Sequence, residues 1–493
     1  MRNRFNALTA EDQDQSADSI YQSIVTAHEA AAEEVVPKKC KSRKELPWEN
    51  NEVTRKRSIV CKAQKTYASK PTKQNKKGLN NALEDLKQSY DENKSKFIQT
   101  KISEITSAHI QKKSKLAWDA INEVSNCKKT ESSRPTGENA SERVKLWEDH
   151  FKNLLGQPAC LPENNENIVT IVSETLPIPT HEFTEDELKA AIKNTSTGKA
   201  CGLDNIPAEA WKKGPLTNEL LTVCNNTLST GISPTIWRRA AIIPIPKKGD
   251  LSNRQNYRGI SLIPVAVKIY NKMLLNRLKP HLEKILRTNQ NGFREGRSTV
   301  GQILALRRII EEVQMNNIPA VLDFIDFRKA FDSISREKLF QILAAYGIPE
   351  PIIIAIKAAY KNTMAQVVTK DGNTEFFNIK AGVLQGDTLA PYLFIIMVDY
   401  IMRTATQDSE HLGFTITERQ NRRHPATYLT DTDFADDIAL LSNTVADAQK
   451  LLTLVVEAAK NIGLNINEGK TEYMVYNISE DNHLSANGKP IKK

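Results

Sequence analysis

The sequence predicts an α+β fold, and two kinds of observation predict it. Long stretches repeat apolar residues at three- and four-residue steps, the period of an amphipathic helix. Between them lie short apolar runs, bounded by turn residues, that read as strands. The two kinds do not alternate as a regular βαβ series, and no internal repeat or low-complexity tract is present, so segregated helices and sheet are expected rather than a doubly wound fold.

Taken in order, residues 1–36 read as a disordered acidic leader, with seven Asp/Glu against Arg2 and Arg4. Residues 37–180 read as a basic, mostly helical extension. Its first part, 37–77, holds fourteen Lys/Arg and only Glu45, Glu49 and Glu52, a handle for phosphates or a solvated basic segment. Leu86, Tyr90, Phe97, Ile98, Ile102, Ile105, Ile110, Leu116, Ala120 and Ile121 predict a helix over 81–125, and Val144, Leu146, Trp147, Phe151 and Leu154 a shorter one over 142–155. Residues 181–227 read as a further helical segment, opened by Thr184 as a capping box to Glu187. Beyond it the spacing predicts a strand at 240–246, helices at 261–284 and 298–315, a buried strand at 319–326, and a hairpin at 364–379 turning at Asp371-Gly372. A long helix after Asp387 and an apolar segment at 428–441 follow.

Composition narrows the functional classes. Of 493 residues, 40% are hydrophobic and 26% charged, with a net charge of +9, compatible with a polyanionic partner. No run approaches the roughly 18 apolar residues of a membrane helix, and the first ten residues carry no apolar signal segment. A membrane is therefore not an expected partner, and an intracellular setting is expected rather than secretion. The six cysteines form no C-x-x-C pair, which argues against a zinc knuckle or a disulfide framework and for free thiols.

Two segments place carboxylates at the edges of apolar runs: Phe324-Ile325-Asp326-Phe327-Arg328-Lys329-Ala330-Phe331-Asp332 and Phe434-Ala435-Asp436-Asp437-Ile438-Ala439-Leu440-Leu441. Buried carboxylates need a cation or hydrogen bonds. Three of them converging from two strands would suit Mg²⁺, which prefers hard oxygen ligands shared with substrate phosphates. An Asp pair taken alone reads more readily as turn or cap residues, so the metal reading turns on the sequence around them.

The two segments, about a hundred residues apart, resemble the F-x-D-x-x-x-A-F-D and F-A-D-D motifs of reverse transcriptases, most closely those of non-LTR (LINE-type) retrotransposons. Between them, Gly382-Val383-Leu384-Gln385-Gly386-Asp387-Thr388-Leu389-Ala390-Pro391 is similar to the family's G-V-x-Q-G-x-x-L-x-P. Downstream come Gly463-Leu464-Asn465-Ile466-Asn467 and Lys470-Thr471-Glu472. Upstream stand Ile243-Pro244-Ile245-Pro246-Lys247-Lys248-Gly249-Asp250, Asn256-Tyr257-Arg258-Gly259, Gln290-Asn291-Gly292-Phe293-Arg294-Glu295-Gly296-Arg297-Ser298-Thr299 and Gly202-Leu203-Asp204-Asn205-Ile206-Pro207. The order holds over about 200–475, more than half the chain.

The resemblance implies a right-hand polymerase, with fingers and an antiparallel palm sheet over 228–480 and the start of a primer grip at 481–493. It implies RNA-directed DNA polymerase activity with two Mg²⁺ ions (Mn²⁺ as a substitute), an RNA template, a DNA primer and dNTP, in the nucleus or cytoplasm. A catalytically silent nucleic-acid-binding remnant is the alternative. By carry-over, Asp326 and Asp436 would be the main metal ligands, with Asp437 and the Phe327 carbonyl completing the set. Phe331 would sit against the nucleotide's sugar and disfavour a 2′-hydroxyl, or else be a core aromatic. Gln385 would touch the nucleotide, Gly386 would allow close backbone approach, Lys247 and Arg258 would hold the triphosphate, and Lys470 would face the leaving pyrophosphate. Arg294 and Arg297 would contact template or strand phosphates. Asp323 has the wrong parity to join them, Asp332 is expected to start or cap the next helix, and Asp431 and Asp433 are expected as polar edge residues. No endonuclease precedes and little thumb follows, so the chain reads as an internal piece of a larger polyprotein or a coding sequence cut at both ends.

Overall fold

In the computed structural model, residues 16–35, 48–111, 137–159, 161–162, 167–247, 249–479 and 483–493 are described, with residues 3, 6, 116, 117, 120 and 121. The chain divides into two units, one formed by Met1–Val36 with Pro135–Lys493, the other by Pro37–Arg134.

The first helix, α1 (Ala17–Val35), corrects the expected disordered leader. Its acidic composition conceals an apolar stripe: Tyr21, Ile24 and Val25 lie one turn apart and are buried. Tyr21 also donates its hydroxyl to Asp204 at 2.6 Å, and Asp18 accepts from the Thr235 amide at 2.6 Å.

The second unit contains a helical hairpin. α2 (Asn51–Ser69) and α3 (Lys73–Ile110) are joined through Pro71 and capped by Asn50 and Thr72. α3 starts eight residues before the expected 81 because the Thr72 hydroxyl accepts from the Asn75 amide and nucleates the helix in a polar stretch. The expected continuation to 125 falls largely outside the described residues.

The rest belongs to the first unit. α4 (Ala140–Leu155), α5 (Glu185–Lys193), α6 (Ala208–Lys213) and α7 (Thr217–Thr230) lead into β1 (Arg239–Pro246) and β2 (Tyr257–Leu262). The Thr184–Glu187 capping box is present. α8 (Val265–Leu282) and α9 (Thr299–Met315) precede β3 (Ala320–Ile325). Then come α10 (Ala330–Ser333), α11 (Arg336–Ala345), α12 (Glu350–Tyr360), β4 (Met364–Thr369), β5 (Gly372–Asn373), β6 (Phe377–Asn378) and α13 (Ala390–Thr406). The last elements are β7 (Phe414–Thr417), β8 (Thr427–Leu429), β9 (Asp431–Phe434), β10 (Asp437–Ser442), α14 (Val445–Lys460), β11 (Glu472–Tyr476), β12 (Ser485–Ala486) and β13 (Lys489–Pro490).

Two sheets organise this unit. One runs β2-β1-β4-β5 with β6 also on β4, and its β1–β4 pairing is parallel. The other runs β11-β3-β10-β9 and is antiparallel throughout. β3 shows why the second sheet is buried on both faces. Val321 and Ile325 join the main core with Ile438, Leu440, Tyr473 and α14, whereas Ala320 and Leu322 join Leu441 and Val313 of α9 in a second cluster. α13 is buried almost all round, with Leu393, Phe394, Ile395, Ile396 and Met397 fully enclosed. Each such side chain contributes about 1.5–3 kcal/mol on leaving water.

α4 packs with this unit rather than with the basic extension to which the sequence assigns it, because Trp147 and Phe151 are buried in the main core. Cys61, Cys201 and Cys224 are free thiols, while Cys40, Cys127 and Cys160 lie outside the described residues. Among the described residues, no helix is long and apolar enough to cross a membrane.

Candidate active site

β3 ends at Ile325, and Asp326 follows where the strand leaves the sheet. A partner loop fixes it there. The Asp326 amide donates to Thr471 Oγ1 at 3.3 Å, its carbonyl accepts from the Asn467 amide at 2.7 Å, and its carboxylate accepts from Asn467 Nδ2 at 3.0 Å. Lys470 Nζ stands 3.7 Å from the same carboxylate. The Asn-x-x-Lys-Thr segment thus binds Asp326 through three of its members. The carbonyl of Phe327 accepts no hydrogen bond among the described residues.

The other two carboxylates stand on the β9–β10 hairpin, whose two-residue turn is Ala435-Asp436. Ala435 holds a left-handed φ of 58°, a strained setting for a residue with a Cβ. A residue the sequence reading passed over holds that turn. Gln290, fully buried, accepts from the Ala435 amide at 2.8 Å and donates to its carbonyl at 3.3 Å. Gly292 is required beside it, since a Cβ there would fall 2.3 Å from the Ala435 nitrogen. The only sequence signal was a polar Gln one residue before the Asn291-Gly292 turn.

Burial first, then the neighbouring Asp437 and Asp326 charges, raises the Asp436 carboxyl above its ordinary range, with Arg258 opposing. Asp437 is raised by burial and by Asp326. Three carboxylates therefore act on one another where β3 and the hairpin meet. Among the described residues, no three His, Cys, Asp or Glu side chains are gathered into a ready coordination shell. The donor set still fits a hard divalent cation: carboxylates and a bare carbonyl, all oxygen, with mutual repulsion for a cation to offset.

Asp326, Phe327 and Asp436 open onto a cleft of about 750 Å³. Lys247, Arg258, Phe331, Gln385, Gly386 and Lys470 line it too, so the carboxylates and the expected nucleotide residues share one space. Lys247 follows β1 and Arg258 lies on β2, opposite Ile245. Burial, then Arg258 and Lys470, lowers the Lys247 ammonium from its ordinary value, with the Asp332 carboxylate opposing. The Phe331 ring stacks on Phe394 at 4.2 Å and 12°, and meets Phe293 edge-on at 6.2 Å. Gln385 is tied to β2 by its carbonyl, which accepts from the Ser261 amide at 2.8 Å. Gly386 has a φ of 120°, and a Cβ there would lie 2.4 Å from the Ser261 carbonyl oxygen, so the close approach it permits is to β2.

A protein-family model for reverse transcriptase (RNA-dependent DNA polymerase) matches residues 245–487, the segment that contains every residue lining the cleft named so far. The chain carries a reverse transcriptase domain. This domain is distantly similar to non-LTR retrotransposon polymerases. The Retrovirus-related Pol polyprotein from type-2 retrotransposable element R2DM of Drosophila melanogaster is 25% identical over 336 residues, covering 68% of this chain and 30% of that protein. The corresponding polyprotein of element R2 from Popillia japonica is 26% identical over 292 residues, covering 57% and 39%. The RNA-directed DNA polymerase from mobile element jockey of Drosophila melanogaster is 26% identical over 298 residues, covering 59% and 32%. The chain spans about a third of the length of these curated relatives.

Several acidic and basic residues of the reverse transcriptase domain stand elsewhere than the sequence implies. Arg294, expected on nucleic-acid phosphates, is buried, and its guanidinium bonds Glu283 Oε2 at 2.8 Å and the Arg287, Gln290 and Glu283 carbonyls. A cation taken out of water keeps such partners, so none of it faces the cleft. Arg297, half-buried, donates to the Thr288 carbonyl at 2.5 Å and to Asn291 Oδ1 at 3.2 Å, which holds its own loop together. Asp431 and Asp433 are fully buried beside Arg287 rather than polar edge residues, with Arg287 Nη1 3.5 Å from Asp433. Asp332 lies in α10 but faces the cleft, where its carboxylate accepts from Gln385 Nε2 at 3.2 Å. Asp323 lies as its parity implies, on the face of β3 opposite Asp326, buried with both carboxylate oxygens unpartnered among the described residues.

Proposed function

We propose that the chain is an RNA-directed DNA polymerase of the non-LTR retrotransposon type, which joins dNTP to the 3′-hydroxyl of a DNA primer on an RNA template. In this reading the antiparallel sheet β11-β3-β10-β9 is the palm and the β1–β2 pair belongs to the fingers. The observation that carries it is the opening of Asp326 and Asp436 onto one cleft whose other walls carry Lys247 and Arg258, with the Asp437 charge acting on Asp436 from the next position.

Asp326, Asp436, Asp437 and the Phe327 carbonyl would hold the Mg²⁺ ions, with Mn²⁺ as a substitute. When bound, such ions lower the barrier by activating the attacking hydroxyl and neutralising charge on the leaving pyrophosphate. Lys247 and Arg258 would offer fixed positive charge to the triphosphate, and Lys470, 3.7 Å from Asp326, would supply a proton to the leaving pyrophosphate. Phe331, braced by Phe394, offers a rigid ring edge against the sugar. Gln385, held by Asp332 and β2, presents a fixed amide to the nucleotide.

Primer extension on poly(rA)/oligo(dT) with dTTP and Mg²⁺ tests the reading. Extension that disappears in Asp436→Asn is the expected result. If nothing is extended across Mg²⁺ and Mn²⁺ while the same chain binds template–primer, the silent-remnant alternative replaces it.

A further inference from the structure

Asp436 follows a residue with an unusual backbone. The β9–β10 ladder closes at Phe434 and Asp437, so the amide and carbonyl of Ala435 lie outside it. Ala435 is buried, and both groups therefore need a partner other than bulk water. A two-residue hairpin turn with a positive φ at its first position ordinarily takes Gly, Asn or Asp there, whereas this one holds alanine at 58°. Such a backbone persists where the surrounding bonds over-determine it.

Those bonds come from one side chain. Gln290 Oε1 accepts from the Ala435 amide at 2.8 Å and from the Gly292 amide at 2.7 Å, and its Nε2 donates to the Ala435 carbonyl at 3.3 Å. The segment that carries Gln290 is itself laid along β9. The Asn289 carbonyl accepts from the Asp433 amide at 3.1 Å, and the Asn291 amide donates to the Asp433 carbonyl at 2.8 Å. Asn289 Nδ2 donates to the Asp431 carbonyl at 2.9 Å. On its other side the buried Arg294 guanidinium donates to the Gln290 carbonyl at 3.1 Å, and Arg297 to Asn291 Oδ1 at 3.2 Å. Arg294 and Arg297, expected on nucleic-acid phosphates, thus brace the segment that holds the turn. The Arg287 amide donates to Asp399 of α13 at 2.7 Å and ties the same segment to the helical core.

Loss of the Gln290 bonds would touch the site before the fold. β9 and β10 stay paired below the turn, with Ile438 and Leu440 buried in the main core. The turn alone is then free to relax to dihedrals that alanine prefers. Any such relaxation turns Asp436, the next residue, and with it the carboxylate that lines the cleft.

We propose that Gln290 is a positioning residue for nucleotidyl transfer, which holds Ala435 in its left-handed conformation and so presents the Asp436 carboxylate to the cleft it shares with Asp326. It acts through the Ala435 backbone. This role rests on the polymerase reading for its reaction.

The test uses the full chain with Gln290→Met, which keeps the volume and loses all three hydrogen bonds, and the same variant with Ala435→Gly added. kcat and KM for dTTP are read in primer extension on poly(rA)/oligo(dT). The Kd for Mn²⁺ without nucleotide is read by electron paramagnetic resonance, below the melting temperature of each chain. Gln290→Met should lower kcat by about 10–10²-fold, the scale of a misplacement of about 1 Å at a reacting centre, with KM little changed. It should also raise the Mn²⁺ Kd, whereas an unfolded fraction would lower the number of Mn²⁺ sites and leave their Kd as it is. Adding Ala435→Gly should restore most of both, because glycine takes the positive φ without a side chain to hold it. Should Gln290→Met fail to fold, Gln290→Glu replaces it. That variant keeps the acceptor and loses the bond to the Ala435 carbonyl, and the same raised Kd and glycine rescue are expected. If kcat or the Mn²⁺ Kd stays at the wild-type value in the folded variant, or if Ala435→Gly leaves the losses in place, the proposal is overturned. A wild-type chain that extends no primer would sink the polymerase reading, while a Mn²⁺ Kd that rises in Gln290→Met and returns with Ala435→Gly would leave the positioning of Asp436 standing.

Discussion

Gln385 donates from Nε2 to the Asp332 carboxylate across 3.2 Å, and that bond joins the first acidic motif to the Val-Leu-Gln-Gly loop inside the cleft. Burial pushes the Asp332 carboxyl up to about 6, against the opposing pull of Lys329, Gln385, Lys247 and Arg258. Ionised above that pH, it both orients the amide and balances the lysines. Asp332→Ala should raise KM for dNTP more than it lowers kcat. In a double-mutant cycle with Gln385→Ala it should add little, because the two act as one unit. Fully additive losses in steady-state kinetics would refute the coupling. The carboxylate protonates as pH falls through about 6, so wild-type KM should rise there while Asp332→Asn stays flat.

Asp326→Asn and Asp436→Asn should each reduce primer extension by at least about 10²–10³-fold, the scale of losing one electrostatic group from a phosphoryl-transfer site. Asp437→Asn, on the exposed first residue of β10, should cost less. Thermal melts should show no destabilisation, since Asp436 and Asp437 are raised by burial and mutual repulsion that the neutral side chain relieves. Undiminished extension in Asp436→Asn would remove the catalytic assignment.

Phe331→Val should increase rNTP use relative to dNTP, measured as the ratio of kcat/KM values in single-nucleotide extension. The stacking on Phe394 at 4.2 Å adds a second effect, a stability loss that includes about 0.5–1.5 kcal/mol for the aromatic pair. An unchanged nucleotide ratio in a variant that melts lower would assign the ring to the core alone.

Asp323 gives the pH prediction for stability. Burial with no hydrogen-bond partner pushes its carboxyl up to about 7 in the folded chain, against 3.8 ordinarily. The folded state therefore holds a proton that the unfolded state loses, and its contribution is present below about pH 4 and is lost as pH rises through 7. The full span is at most ~4 kcal/mol at 1.36 kcal/mol per pH unit. Asp323→Leu should raise the melting temperature at pH 8 and change it little at pH 4. Equal shifts at both pH values would show that the carboxylate has found a partner.

Arg294→Ala should unfold the chain rather than loosen its grip on nucleic acid. Removing one partner of a buried charge pair costs about 3–5 kcal/mol, here leaving the Glu283 carboxylate and three carbonyls bereft. Chemical denaturation should show that loss, while the salt dependence of RNA binding by the folded fraction keeps its slope. A shallower slope would return Arg294 to the phosphate contacts.

Local chemistry explains what the sequence by itself determined. The Thr184–Glu187 capping box, the apolar run of β3 and the helix after Asp387 are each specified within a few residues, by hydrogen bonds and periodicities that need no distant partner. Ordered motifs likewise made the polymerase chemistry legible, because metal and phosphate binding demand particular side chains at particular spacings. Tertiary structure alone decided the fate of individual polar residues. Arg294 and Arg297 are both arginines of one loop, yet only Arg294 is buried against Glu283. Tyr21 reaches Asp204 across 183 residues of chain, and Gln290 holds a hairpin 145 residues away. His150 enters the cleft only because Trp147 and Phe151 dock its helix on β2. Desolvation and long-range partners set the state of each of these groups, and neither is encoded within a local window of sequence.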